Sequence, residues 1–296
     1  MRPSVFRVHG ADADAVAGMV RWAPAKSLWH VGLAVSAATL APFATTVGSV
    51  LVFLVLTYLT LLLGHSVGMH RKLIHRSFDC PKWLERTLVY LGVLVGMAGP
   101  IGILRIHDIR DWAQREPKCH DFFSHRRSIW LDAFWQLNCR FEFERPPSFL
   151  VEPEVRRDPF YRWLERTWML QQVPLAFVLF WFGGWAWVVW GICVRVTVSV
   201  SGHWVVTYLT HNPGPSPWFV RDAGVQASNL NGYGLLTMGE CWHNNHHAFP
   251  ESARIGLSRN ELDPGWLVIA SLRRLGLVSR AGAPRHISQR EDLGDA

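Results

Sequence analysis

Two long stretches of this chain carry almost no charge, and they set the first expectation about its architecture. No Asp, Glu, Lys or Arg occurs from Ser27 to His70, and Arg195 alone interrupts the run from Thr167 to Val220. A helix needs roughly 20 mostly apolar residues to cross a bilayer, so each run is long enough for two crossings. Polar residues divide the first run into spans at about 28–43 and 47–64, with Ala44, Thr45 and Thr46 as a tight turn between them. Gly183-Gly184 divides the second into spans at about 167–182 and 185–206. The pattern predicts an all-α integral membrane protein with four transmembrane helices.

Basic residues orient those spans. Arg2, Arg7, Arg21 and Lys26 precede the first, and Arg71, Lys72, Arg76, Lys82 and Arg86 follow the second, whereas the connections on the other side are uncharged. The positive-inside rule then places both termini and the large polar segments in the cytoplasm. The stretch from Thr87 to Leu104 is also charge-free but is broken by Gly96, Gly99, Pro100 and Gly102. A single crossing there would put its flanks in opposite compartments, and it is too short to cross twice. We expect it to be re-entrant or interfacial, packed on protein. Near the C-terminus, "PGWLVIASLRRLGL" reads as an amphipathic helix on the membrane surface. The organisation expected is a cytoplasmic segment at 1–26, a membrane domain at 27–278 and a loose tail at 279–296.

Composition supports this picture. Of 296 residues, 49% are hydrophobic and 18% charged, against about 25% charged in a typical soluble domain. The net charge of +7 is read as cytoplasmic loops rich in Lys and Arg, not as a nucleic-acid surface. Tryptophans such as those of "WFGGWAWVVW" suit an interfacial belt. The N-terminus lacks an apolar core with a cleavage site and does not read as a signal peptide. Cys80, Cys119, Cys139, Cys193 and Cys241 form no CxxC pair, which argues against a disulfide framework or a cysteine zinc site. Arg195 is costly inside a span and is either functional or snorkelling.

Histidines gather on the predicted cytoplasmic side, where a histidine-rich helical cap is expected. His70 and His75 follow the second span, and His107 follows the broken apolar stretch. His203 and His211 lie near the end of the fourth span, and "GECWHNNHHAFP" adds His243, His246 and His247. In a helix, the last three share one face by their i, i+3 and i+4 spacing, and so do His203, Thr207 and His211. Neutral imidazole is a good ligand for iron, copper, zinc and nickel, and burying so many without a metal is costly. Eight candidates exceed the three or four ligands of one zinc and suit two metals. Two oxygen-activating irons fit a site beside apolar substrates.

Two of these motifs resemble a known family. "GMHRKLIHRSF" is similar to the first histidine box of membrane fatty acid desaturases of the stearoyl-CoA desaturase type, and "GECWHNNHHAFP" resembles their third box, including the flanking Gly-Glu and Phe-Pro. The resemblance covers about residues 28–275. It implies an oxygen-dependent di-iron oxidase that takes electrons from an external ferredoxin- or cytochrome-type carrier and its reductase. The implied substrate is a fatty acyl-CoA or an acyl-lipid, and membrane lipids are the surroundings. The family's middle box, His-Arg-x-His-His, appears here as His107-Asp-Ile-Arg110-Asp111. Arg110 is always protonated and cannot bind metal. Asp111 reads either as a carboxylate ligand or as a residue orienting a ligating imidazole, the alternative being a surface ion pair. By the resemblance His211 takes a further ligand position, with Thr207 where the family has asparagine. His203, His120 and His125 are other candidates to make up the deficit. Arg71, Lys72 and Arg76, with Arg126, Arg127, Arg156 and Arg157, could hold a phosphorylated carrier or lipid headgroups. Desaturation is the first expectation. A lipid hydroxylase of the same class and a non-catalytic lipid-binding relative are the alternatives.

Overall fold

In a computed structural model, residues 7–284 and 293–295 are described. Arg2 and half of the tail expected to be loose, 285–292 and 296, lie outside the described residues. Twelve helices follow in order: α1 (Pro24–Leu40), α2 (Val47–Leu59), α3 (Lys82–Val93), α4 (Pro100–Arg115), α5 (Asp121–Ser124), α6 (Ile129–Asn138), α7 (Pro153–Arg156), α8 (Pro159–Thr167), α9 (Gln172–Val188), α10 (Arg195–Thr210), α11 (His243–Ala248) and α12 (Pro264–Arg274). The chain is mostly helical, as the apolar pattern predicts.

The turns between the apolar helices have local causes. Pro24 opens α1, where the missing N–H has no helical partner to lose. After a turn at Ala41–Phe43, Thr46 starts α2. Its hydroxyl accepts from Ser49 N at 3.0 Å, and Ser49 Oγ accepts from Thr46 N at 2.8 Å. α2 then continues into Thr60–Ile74, where hydrogen bonds close on the fifth residue and the helix widens. α9 breaks at Gly184, whose φ of 62° and ψ of −159° only glycine adopts readily. Leu179 faces Gly191 across this break, so the chain folds back on itself there. Trp187 lies against Gly48, and Phe53 meets Trp190 with centroids 5.7 Å apart. The two turns therefore sit at one end of the bundle, away from the histidines.

Two helical stretches, Val47–Ile74 and Met169–Thr210, are long and apolar enough to cross a membrane, and 22% of the most apolar window of each is buried. The core helix of a soluble protein would be mostly buried. Here Leu51, Leu54, Val55, Phe177, Trp181 and Phe182 face outward, an apolar surface that water does not favour.

The broken apolar stretch forms α3, a loop at 94–99 and the start of α4. Its exposed carbonyls are taken up from inside the protein. Arg195 Nη1 donates to Leu94 O at 2.6 Å, Gln172 Nε2 donates to the same oxygen at 2.9 Å, and Trp29 Nε1 donates to Gly96 O at 2.9 Å. Glu165 Oε2 accepts from Ile101 N at 2.8 Å and Gly102 N at 3.0 Å, placing a carboxylate on the first turn of α4. Non-helical backbone inside the apolar layer is thereby satisfied. Gly64 and Gly68 allow α3 to approach closely, since a Cβ at either would collide with the backbone around Leu88 or Leu91. Arg195 does not snorkel. It is fully buried, with Nε on Gly191 O and Nη2 on Gln172 Oε1, each at 2.6 Å.

At the histidine end the chain departs from a purely α cap. β1 (Val8–His9) pairs with β4 (Ser148–Phe149), β2 (Gly18–Trp22) with β3 (Cys139–Phe143), and β5 (Trp218–Val220) with β6 (Leu293–Asp295). These ribbons are too short to carry a hydrophobic alternation legible in the sequence. They also tie the N-terminal segment down: Arg7 is buried, donating to Asp108 at 2.8 Å, Glu152 at 2.8 Å and the carbonyls of Leu73 and Ile74. The segment is thus part of the cap and not a separate unit. α12 packs Ile269 on Val67, Phe78, Leu84 and Leu88 while Leu267 stays exposed, so one apolar face is covered by protein.

Arg195→Met removes the donor to Gln172 Oε1 and one of the two donors to Leu94 O. An unsatisfied buried acceptor costs about 1–3 kcal/mol. The thermal midpoint of the purified protein in detergent is expected to fall accordingly, and an unchanged midpoint would contradict this role.

Candidate metal centre

The widened end of the second apolar helix delivers the first histidines. Hydrogen bonds closing on the fifth residue, ending with His75 N to His70 O at 3.1 Å, stack residues five apart. His65, His70 and His75 have that spacing. The His70 and His75 ring centroids are 4.9 Å apart. α4 brings His107 and α11 brings His246 to the same place. His70 Nε2 lies 3.2 Å from His246 Nε2, and His75 Nε2 lies 3.3 Å from His107 Nε2. One ligand atom from each of these four residues falls within 4.8 Å of all the others.

A second group forms alongside from His211, His243 and His247 under the same 4.8 Å limit. His247 Nε2 is 3.1 Å from His243 Nε2, and the His211 ring centroid is 4.8 Å from that of His243. All three belonging to α11 are at i, i+3 and i+4, the spacing expected. The asparagines between them hold the short helix in place. Asn244 Oδ1 accepts from Trp218 N at 2.9 Å, and Asn245 Nδ2 donates to Ile255 O at 3.1 Å and Glu261 Oε2 at 2.9 Å.

The far ring nitrogens show what the near ones are for. Glu240 Oε2 sits 2.5 Å from His70 Nδ1, Asp108 Oδ1 3.1 Å from His107 Nδ1, and Thr207 O 2.8 Å from His211 Nδ1. At His107 and His211 the partner accepts, so Nδ1 carries the proton and Nε2 presents a lone pair, while the Glu240 carboxylate makes an ion-pair contact with His70 Nδ1. The buried His211 Nε2 has no hydrogen-bond partner, an orphaned nitrogen aimed into the group as a metal ligand would be. This donor set, neutral imidazoles oriented from behind, fits a pair of metal ions. Burial keeps His75, His243 and His246 well below the ordinary imidazole range and lowers His247 to about 4, with the neighbouring rings adding to the effect at the first three.

Arg71 locks this arrangement. It is buried, with Nε on Ala253 O at 3.0 Å, Nη1 on Glu240 Oε1 at 2.8 Å, a close contact to Ser66 Oγ, and Nη2 on Asp263 Oδ1 at 2.8 Å. Glu240 thus bridges Arg71 and His70. Gly239 before it adopts a φ of +94°, in the region that favours glycine.

Other expected residues fall outside the two groups. His203 packs on His65 with centroids 4.7 Å apart. Asp111 lies beside the centre, its Oδ2 3.9 Å from His107 Nδ1 and its buried Oδ1 unpartnered. Burial would raise its pKa, but His107, His247 and Arg110 outweigh that and hold the carboxyl well below the usual range. Neither His120 nor His125 joins a group. His120 Nδ1 accepts from Phe122 N, while His125 stacks on His211 at 5.2 Å with its Nδ1 on Asp132. Among the expected headgroup-binding residues, all three guanidinium nitrogens of Arg71 are bound within the protein. Lys72 pairs with Glu85 at 3.1 Å and Arg76 with Glu152 at 3.4 Å. Both line a cavity of about 380 Å³ with Lys82 and Glu154.

Glu240 and Asp108 were not among the residues expected at the site. Glu240 is legible only as part of the Gly-Glu before the third box, and Asp108 only as a neighbour of His107. His65 was missed because α-helical spacing does not group residues five apart.

The fatty acid desaturase family model matches residues 44–272. The chain is 36% identical to sn-1 stearoyl-lipid 9-desaturase of Anabaena variabilis over 231 residues, covering 77% of this chain and 82% of that protein. It is 35% identical to sn-2 palmitoyl-lipid 9-desaturase of Nostoc sp. (strain 36), over 74% of this chain and 76% of that one. Acyl-CoA C20 Delta5-desaturase of Anemone leveillei is 32% identical over 77% of this chain and 70% of its own length. The chain belongs to the fatty acid desaturase family and is an oxidoreductase.

Replacing Glu240 with Gln weakens the acceptor behind His70. Metal affinity is expected to fall about 10- to 100-fold with circular dichroism unchanged; equal metal content at limiting metal would contradict the assignment. The metal-free protein should also lose stability in acid. Below the ordinary value of 6.5, the unfolded chain takes up a proton that buried His247, held at about 4, refuses. That stability is present above pH 6.5 and is lost as pH falls towards 4. Melting of chelator-treated protein across this window should track the loss, and a flat profile would count against it.

Proposed function

We propose that the protein is a membrane-bound, oxygen-dependent fatty-acyl desaturase that inserts a double bond into a long acyl chain at a pair of iron ions. The observation carrying this reading is the convergence of seven imidazoles in two groups, with the Nδ1 atoms of His70, His107 and His211 already engaged from behind. His70, His75, His107 and His246 would hold one iron and His211, His243 and His247 the other, with the Asp111 carboxylate beside both and His203 behind them. Bound there, the irons would supply the oxygen-activating redox chemistry that neither imidazole nor carboxylate possesses. In the overall reaction two adjacent methylenes lose two hydrogens, two electrons and two protons enter from outside, and dioxygen leaves as two waters. The electrons come from an external ferredoxin- or cytochrome-type carrier with its reductase.

The protein's own part is orientation and exclusion of water. Glu240 and Asp108 fix the tautomers of His70 and His107, and burial keeps the α11 imidazoles neutral at physiological pH. Four crossings by α1, the α2 stretch, α9 and α10 would place the centre and both termini on the cytoplasmic side, where Lys and Arg concentrate. The relatives' names point to an acyl-lipid or acyl-CoA as substrate. Lys72 and Arg76 would meet its polar end from the cavity they line, while Arg71 keeps its structural post.

Expression in a host lacking desaturases tests the proposal by mass spectrometry of total fatty acids. Products two hydrogens lighter than saturated chains are expected, and His246→Ala should abolish them. Products one oxygen heavier would instead make it a hydroxylase.

A further inference from the structure

A narrow cleft runs from the surface of the cap to the three-histidine group. Half-buried Arg115, Ala223 and Gln226 line it together with buried Gln114, Asn244 and His247. Its volume is about 10 Å³, close to the least that holds one water. The walls are tied to each other by backbone hydrogen bonds between the end of α4 and the loop after β5. Val225 N donates to Gln114 O at 3.1 Å and Gly224 N to Glu116 O at 2.9 Å.

Gln114 has an acceptor to spare. Its Nε2 donates to Phe123 O at 2.7 Å, and its buried Oε1 has no hydrogen-bond partner among the described residues. A buried amide oxygen without a donor is costly, and in a cleft of this size a water is the donor that fits. Asp111 stands three residues earlier, on the same face of α4, and its buried Oδ1 is unpartnered too. Asp111 Oδ2 lies 3.9 Å from His107 Nδ1, so the two orphaned oxygens mark a polar row from the cleft to the histidines. Protein fills the corresponding space behind the four-histidine group. There Arg71 is bonded to Glu240, Asp263 and the Ala253 carbonyl, and Arg7 to Asp108, Glu152 and the Ile74 carbonyl.

The overall reaction takes up two protons and releases two waters, whereas the acyl chain reaches the centre from the apolar layer. Resting on the metal-centre reading above, we infer that this cleft is the aqueous port of the centre: a passage one water wide, kept wet by Gln114 Oε1, through which protons enter and product water leaves. Gln114 is a positioning residue. Its oxygen accepts from the water in the neck, and protons pass along that water while the amide stays neutral. A neck this narrow admits water and excludes larger solutes from the centre.

The test uses the full-length protein in detergent, stripped with chelator and loaded with Co(II), an ion that imidazole binds well. Exchange of solvent protons with the site is read from the field-dependent relaxation of bulk water, without turnover. Gln114→Met keeps the volume of the side chain but removes the acceptor, and an apolar constriction sheds water. Exchange should fall about 10-fold, the effect of losing one hydrogen bond, with Co(II) content and visible spectrum unchanged. Ala223→Phe, which plugs the outer mouth and leaves the buried amide alone, should slow exchange as well. In the iron-loaded enzyme, both variants should show a larger solvent deuterium effect on desaturation. Exchange at the wild-type rate in either folded variant would overturn the inference while leaving the metal centre intact, and so would a wild-type protein that binds Co(II) without solvent exchange. Failure of the wild type to bind Co(II) would overturn the metal centre and this inference together.

Discussion

Seven imidazoles from distant parts of the chain converge in two groups, with ring nitrogens 3.2, 3.3 and 3.1 Å apart in three pairs and His211 Nε2 left without a hydrogen-bond partner. Glu240, Asp108 and the Thr207 carbonyl stand behind the Nδ1 atoms of His70, His107 and His211 and orient those rings inward. Much of the surrounding architecture serves to impose that convergence. Arg71 ties the second apolar helix to Glu240 and Asp263, Arg7 ties the N-terminal segment to Asp108, and Asn244 and Asn245 anchor α11. Each anchor is a buried polar group whose partners are supplied by distant parts of the chain. The cap therefore forms as a unit, and its stability is coupled to whatever occupies the centre.

A parallel logic governs the apolar layer. The loop at 94–99 interrupts what would otherwise be a span, and its carbonyls are bonded to Arg195, Gln172 and Trp29. An arginine inside an apolar run is expensive in isolation, but here it is bonded on all three guanidinium nitrogens. Its worth lies in the backbone groups it satisfies, which in turn let α3 and α4 carry His107 to the other histidines.

Much of this was legible in the sequence. Charge-free runs marked the apolar helices and their breaks at 44–46 and Gly184, because exclusion of charge is a property of every residue along a span. The third box was legible because its histidines repeat at helical spacing. What escaped was set by long-range contact or unusual winding. His65 lines up with His70 and His75 only through hydrogen bonds closing on the fifth residue, and periodicity analysis assumes the fourth. Glu240, Asp108 and Arg71 acquire their roles from partners up to 192 residues away, and one-dimensional pattern carries no such information. The short ribbons of the cap were likewise invisible, since two to five residues cannot display a strand's alternation.

The central claim is that the two histidine groups together form the metal centre of this desaturase family member. X-ray absorption at the iron edge, on protein purified in detergent after iron-replete expression, tests it most directly. The account predicts iron surrounded mainly by nitrogen and oxygen, with outer-shell scattering characteristic of several imidazole rings, and loss of that scattering when His246 and His247 are replaced together. Iron in a sulfur-rich environment, or an imidazole signature unchanged in the doubly substituted protein, would contradict it.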